Sequence, residues 1–338
     1  MRRQTSVVEV NPSNPEREAI ARAAEIIKAG GLVAFPTETV YGLGADALNP
    51  EAVKGIFVAK GRPLDNPIIV HVAGLEHLEI LAESIMAGAV ALAERFWPGP
   101  LTLILNKSAK VPDNVSAGRE TVAVRMPRNN VALALIRASG VPIAAPSANL
   151  SGRPSGTTGA HVFQDLAGKI DLVLDAGPVE IGVESTVLDI STRPPTILRP
   201  GAVTVEELER IIGQVVLGKQ GELLRRSPGT RYRHYSPKAR VTLVKETDRE
   251  MVDRLVEKCR NRGRRVGIIT RRPDFRQSSE GVIVKVMPQE LEEYARQMFA
   301  VIRELDREGV DEIIVEEVEE RGIGTAIMDR LRKAAWGK

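Results

Sequence analysis

Two cations stand two residues apart in "KGRPLDNPIIVH", Lys60 and Arg62. A lysine is a compact point charge and an arginine a planar fork, so the pair could grip a polyphosphate; its plainer use is a solvated basic turn. "PIAAPSANLSGRPSGTT" (142–158) runs from an apolar strand straight into Ser147, Asn149, Ser151, Gly152, Ser155 and Gly156. Hydroxyls, an amide and open backbone N–H groups past a strand end can receive phosphate, or can form an ordinary polar loop. "PTETVYGLGADA" (36–47) packs two threonines, a glutamate and a tyrosine before Gly42 and Gly44. The glycines suit a tightly turning loop or a close approach to a ligand, and a plain threonine-rich turn is the alternative. Arg125 in "TVAVRMP" and Arg199 in "ILRPG" fall inside apolar runs that read as strands. A buried arginine needs an anion, which a structural carboxylate or a ligand could supply equally well. "SPGTRYRHYSPKAR" (227–240) interleaves aromatics with cations, suited to stacking a base while meeting phosphate, or to a basic interdomain strap.

Other chemistries are excluded. There is no HExxH pattern, His71 and His77 lack metal-ligand spacing, and there is neither a GxSxG elbow nor a Walker A run. "GLGADA" follows a strand but lacks the GxGxxG spacing of dinucleotide sites. The single cysteine, Cys259, rules out an internal disulfide framework or thiolate metal cluster and fits a reducing cytoplasm. The N-terminus has no signal-peptide core, and no run approaches the roughly 20 apolar residues of a membrane span. Among 338 residues, 43% are hydrophobic and 27% charged, a globular balance long enough for two domains. A net charge of +3 permits contact with nucleic acid without arguing for it.

The elements that must carry these groups follow from periodicity and punctuation. Asn14-Pro15 predicts a helix start with Gly30-Gly31 ending it, and Asn49-Pro50 predicts another over "EAVKGIFVAK". Thr204 and Glu207 have capping-box spacing. Strands are expected at "LVAF", "NPIIVHV", "LTLIL", "TVAVRMP", "VPIAA", "DLVLDAG", "STVLDI" and "TILRPG", giving a mixed α/β domain over 7–213. From 214 to 240 the periodicity stops and lysines and arginines crowd together, which reads as a basic linker. From 241 to 338 strands alternate with helices, implying a smaller domain of parallel βαβ units.

Taken in order, "PTETVYGLGADA", "KGRPLDNPIIVH", "PGPLTLIL", "VAVRMP", "PIAAPSANLSGRPS" and "GVESTVLDI…ILRPG" resemble the YrdC-like catalytic domain of the threonylcarbamoyl-AMP synthase family. "SPGTRYRHYSPKA" resembles the linker of its longer, two-domain members, so the resemblance spans nearly the whole chain. It implies a twisted mixed sheet around a deep, positively lined cavity, plus a small Rossmann-like C-terminal domain. It implies conversion of L-threonine, bicarbonate or CO₂, and ATP to threonylcarbamoyl-AMP and pyrophosphate. A downstream transferase complex would then modify the tRNA adenosine beside the anticodon.

By the same resemblance, Thr39, His71, Arg125, Ala145 and Ser185 would contact threonine, Arg125 pairing with its carboxylate. Arg62, Asn66, Thr121, Ser147, Ser155, Arg199 and Tyr235 would contact ATP, and Lys60, Arg62, Ser147 and Asn149 would serve the reacting phosphates. Mg²⁺ is expected to arrive with ATP rather than in a protein carboxylate cage. Lys60 and Arg62 are expected in a loop, so that Arg62→Ala would leave folding nearly untouched. The 227–240 stretch is expected to act as a lid, with Tyr235 on the nucleotide. A weak tRNA contact, a cytoplasmic location and no membrane association complete the expectations. Two rivals stay open: an RNA-binding module using a basic concave face, and a carbamoyltransferase of the hydrogenase-maturation type. The latter brings zinc-binding cysteine motifs absent from this chain.

Overall fold

The structure is a computed structural model, described over residues 4–218, 226–227, 234–273, 275 and 281–335. The chain divides into two units. The first comprises Met1–Ser151, Ser155–Glu180 and Glu184–Arg231; the second comprises Gly152–Pro154, Ile181–Val183 and Tyr232–Lys338.

The described strands of the first unit are β1 (Ser6–Glu9), β2 (Val33–Phe35), β3 (Gly42–Asp46), β4 (Ile69–His71), β5 (Leu101–Asn106) and β6 (Thr121–Arg125). They continue with β7 (Ile143–Ala144), β8 (Leu172–Asp175), β9 (Thr186–Asp189), β10 (Thr196–Arg199) and β11 (Val216–Leu217). They form one mixed sheet in the order β1-β8-β2-β3-β7-β4-β6-β5-β9-β10-β11. Near-continuous burial of β2, β4, β5 and β6 explains why those strands read as apolar runs rather than alternating ones. Gly42 and Gly44, expected in a turning loop, instead lie within β3. A Cβ at Gly44 would sit 2.7 Å from the Phe35 ring and 2.8 Å from Ile143, so glycine there makes room for the core rather than for a turn.

Helix 50–60 starts as its sequence dictates: the Asn49 side chain accepts from the amides of Glu51 and Ala52, Pro50 occupies the first turn, and Gly61 closes it at φ 61°. Helix 205–212 carries the complete Thr204/Glu207 capping box. Helix 17–28 begins later than Asn14-Pro15 predicted. The Asn11 side chain takes the amides of Ser13 and Asn14, and Glu16 Oε2 takes that of Asn11, so a side-chain turn holds this stretch out of the helix. The helix then buries Ile20, Ala23, Ala24 and Ile27. Full burial of Ile27 alone contributes about 1.5–3 kcal/mol.

In the second unit β12 (Arg240–Val244), β13 (Val266–Thr270), β14 (Val282–Val286) and β15 (Glu312–Glu316) form a wholly parallel sheet in the order β12-β15-β13-β14. Val252, Val256, Cys259, Val266, Ile268 and Ile314 share one core beneath it. Burial and the neighbouring Glu312 carboxylate push the Cys259 thiol up, which keeps it a packed, unreactive group.

The segment expected to stand apart over 214–240 is shared out. Val216–Leu217 pairs with β10 in the first unit. Ser236 N donates to Gly152 O at 2.8 Å, and the amides of Lys238 and Ala239 donate to Asp306 Oδ1, all within the second unit. Residues 219–225 and 228–233, which carry part of the basic linker, lie outside the described residues.

Candidate active site

Arg125 ends β6 and pairs in register with His71 at the end of β4. Its guanidinium is buried among groups drawn from distant loops. Nε donates to Gly99 O at 3.2 Å, Nη1 donates to Thr39 Oγ1 at 3.0 Å, and Nη2 lies 2.7 Å from Glu38 Oε2. That last contact is an ion pair without hydrogen-bond alignment: neither Glu38 oxygen nor Arg125 Nη2 has a hydrogen-bond partner. The hydroxyls behind it have a fixed direction. Thr37 Oγ1 donates to Val40 O at 2.6 Å, so at its 2.9 Å contact with Thr39 Oγ1 it must accept. Arg125 therefore donates to Thr39, Thr39 to Thr37, and Thr37 to the backbone. The amides of Thr39 and Val40 close the turn onto Thr37 Oγ1.

His71 stands edge-on to Phe35, its Nδ1 without a hydrogen-bond partner. Burial, then the charge of Arg125, lowers its pKa from 6.5 to about 3, so the imidazole is neutral under working conditions. Ala145 N donates to Ile69 O at 2.9 Å, placing that residue beside the same strand. Ser185 Oγ meets Thr102 Oγ1 at 2.8 Å and accepts from Arg199 Nη2 at 3.1 Å, while Arg199 Nε holds the Ser185 carbonyl.

Of the two cations expected in a loop, Lys60 ends a helix and Arg62 does lie in the loop beyond it, and both are buried. Lys60 is the last residue of helix 50–60 and is 3% exposed; Arg62 is 8% exposed. Lys60 Nζ donates to Ser147 O and Asn149 O, both at 2.5 Å, clamping the 147–149 loop. Arg62 donates to Asn66 O at 3.3 Å and Pro67 O at 2.8 Å. Asn66 is buried with its Nδ2 unpartnered. Ser147 is bridged to Gly42, which joins the clamped loop to β3. The expectation that Arg62→Ala would spare folding is corrected: a buried donor that gathers two carbonyls is structural as well.

The other expected residues are dispersed. Ser155 Oγ donates to Glu184 Oε1 at 2.5 Å. Thr121 opens β6, four residues and roughly 13 Å of strand from Arg125, opposite Asn106. Tyr235 belongs to the second unit, stacked on Phe299 at 5.3 Å and with Arg330 over its ring at 5.5 Å. Sequence reasoning missed Glu38 as a site residue, along with Thr102. Glu38 carried a signal: set between two threonines, it is the only charged residue from 29 to 45. A cleft of about 520 Å³ opens on Pro36, Thr37, Glu38, Pro98, Arg128 and Glu180, and none of the expected site residues lines it. Among the described residues no group of three or more His, Cys, Asp or Glu could hold a metal, and no helix is long and apolar enough to cross a membrane.

This geometry sets hydroxyls beside anchored, buried cations. Residues 25–201 match the family model described as telomere recombination, and residues 203–336 match that of the threonylcarbamoyl-AMP synthase C-terminal domain. A threonylcarbamoyl-AMP synthase of Pyrococcus abyssi is 49% identical over 95% of both chains. One from Bacillus subtilis is 46% identical over 98% of this chain and 96% of its own. The crystal structure of P. abyssi Sua5 complexed with L-threonine superposes with a TM-score of 0.91 at 47% identity, covering 97% of each chain. Full-length identity and a shared fold, with both parts of the chain matched in order, place this chain in the threonylcarbamoyl-AMP synthase family.

Proposed function

We infer that this chain is an L-threonylcarbamoyladenylate synthase, and that the buried Arg125–Thr39–His71 corner is its threonine pocket. The observation that carries the assignment to that corner is Arg125 itself: anchored at Nε and Nη1, with Nη2 paired in charge to Glu38 but in no hydrogen bond, so that its N–H groups can take a carboxylate oxygen. Neutral His71 adds no second charge beside it, and Ser185 would complete the polar wall.

The chemistry then needs little from a general base. Threonine's amine attacks CO₂, loses a proton and becomes a carbamate anion. A carbamate oxygen attacks the α-phosphorus of ATP, the bond to the β-phosphate oxygen breaks, and pyrophosphate leaves. The protein's task is to hold two anions in line and to neutralise charge on the departing group. Arg62 and Arg199 would meet the nucleotide's phosphates, with Asn66, Thr121, Ser147 and Ser155 as its further contacts. Lys60, through its hold on Ser147 and Asn149, would fix the loop against which the phosphates lie. The nucleotide would enter as MgATP, the metal carried by the substrate. The adenylate would pass to a tRNA-modifying transferase in the cytoplasm, with at most a weak direct contact to tRNA.

Purified protein with MgATP, threonine and bicarbonate should release pyrophosphate only when both threonine and bicarbonate are present. Release indifferent to threonine would sink the assignment. Serine should be poorer by about 1–3 kcal/mol for the methyl it lacks, and Arg125→Gln should abolish saturation by threonine.

A further inference from the structure

We propose that Glu38 sets the charge of the threonine pocket, so that it admits a zwitterion and turns away polyphosphate. The inference rests on the functional reading above. The enzyme must bind an amino acid next to a triphosphate, and both present anionic oxygens to arginine. An arginine in a buried site would take either. Arg125 differs in having a carboxylate 2.7 Å away, with Glu38 and Arg125 side chains only 1% and 4% exposed. The pair is net neutral, matching a zwitterion rather than an anion of several charges.

The alignment of the pair is what makes this more than a structural ion pair. An aligned, bidentate pair would occupy the guanidinium fork and leave nothing for substrate. Here Glu38 approaches without hydrogen-bond geometry, and Nη2 keeps its donors. Glu38 thus compensates the charge of Arg125 without consuming the fork. A monoanionic carboxylate can still take those donors. For a polyphosphate, the repulsion of the nearby Glu38 carboxylate cancels most of the attraction of Arg125. Glu38 is held beside the pocket by its own neighbours: Thr37 caps the turn on one side of it and Thr39 binds Arg125 on the other. In this role Glu38 is a positioning and selectivity residue that touches Arg125 rather than the reacting atoms.

The test is competition at equilibrium, measured calorimetrically on the full chain with threonine and inorganic pyrophosphate. In the unaltered protein, saturating pyrophosphate should change threonine affinity by less than about twofold. In Glu38→Gln, threonine affinity should fall at least about tenfold once pyrophosphate is added, because the uncompensated Arg125 now binds it. Glu38→Asp, which restores the charge, should restore independence. Steady-state kinetics of Glu38→Gln should show a raised KM for threonine with kcat changed far less. Competition in the unaltered protein overturns the proposal, and this arm decides the matter even should Glu38→Gln fail to fold. Independence retained in a folded Glu38→Gln overturns it equally. Failure of the unaltered protein to bind threonine would instead overturn the functional reading, which keeps the two distinguishable.

Discussion

The buried cations of the first unit's candidate site and the partly exposed cations of the second unit are held differently. In the second, cations pair with carboxylates near strand ends and surfaces: Arg271 with Glu319 at 2.7 Å, Arg272 with Glu316, Lys285 with Glu304 at 2.8 Å, and Arg332 with Glu320. In the candidate site of the first, Lys60, Arg62, Arg125 and Arg199 each donate to backbone carbonyls, and Arg125 also to the Thr39 hydroxyl, often across great sequence separations. A carboxylate on a side chain can swing away or be screened by salt. A carbonyl moves only with its chain. The first arrangement therefore stitches loops into a fixed geometry, which a site that works by positioning charge requires, whereas the second mainly adjusts stability.

Lys60→Met should break the comparison hardest. It orphans the Ser147 and Asn149 carbonyls and should cost about 2–3 kcal/mol of stability, read from denaturant midpoints, with activity falling alongside. Full stability with lost activity would mean that Lys60 serves substrate rather than the loop.

His71 sharpens the comparison through pH. Its folded pKa, about 3, lies below the ordinary 6.5, so the unfolded chain binds the extra proton. Stability from this group is fully present above pH 6.5 and declines as pH falls from there toward 3. The slope approaches about 1.4 kcal/mol per pH unit for one proton. Denaturant titrations of His71→Asn across that window should show a slope shallower by up to this amount. An unchanged slope would mean that His71 is not buried neutral.

The smallest effect should come from Arg332→Ala. Its pair with Glu320 is about half exposed on both sides, so the loss should stay below about 1 kcal/mol and shrink further in high salt.

These contrasts mark what could be read from residues alone. Asn49-Pro50 and Thr204/Glu207 were legible because caps are local; so was the alternation that became the parallel sheet. The residues of the Arg125–Thr39–His71 corner were named by resemblance, and the sheet pairing of Arg125 with His71 brings two of them together. The burial of Lys60 was not, because the carbonyls that fix it lie 87 and 89 residues away. Nor was the place of Gly44 in a strand, since what demands glycine there is the Phe35 ring across the hairpin. The lone charge of Glu38 was visible, but its partner was not, because Arg125 lies far along the chain, at the end of a strand paired with β4.

The chain's division also has a consequence for synthesis on the ribosome. Gly152–Pro154 and Ile181–Val183 belong with the second unit, yet they emerge amid the first. Pro154 O is held by Arg303 Nε at 3.1 Å and Nη2 at 2.6 Å, a partner 149 residues later. At roughly 5–20 residues per second, that carbonyl waits roughly 7–30 s for its donor to be translated. Until then the Gly152–Pro154 segment lacks this hold. That segment, made amid the first unit, can take up its place in the second only once Arg303 has been translated.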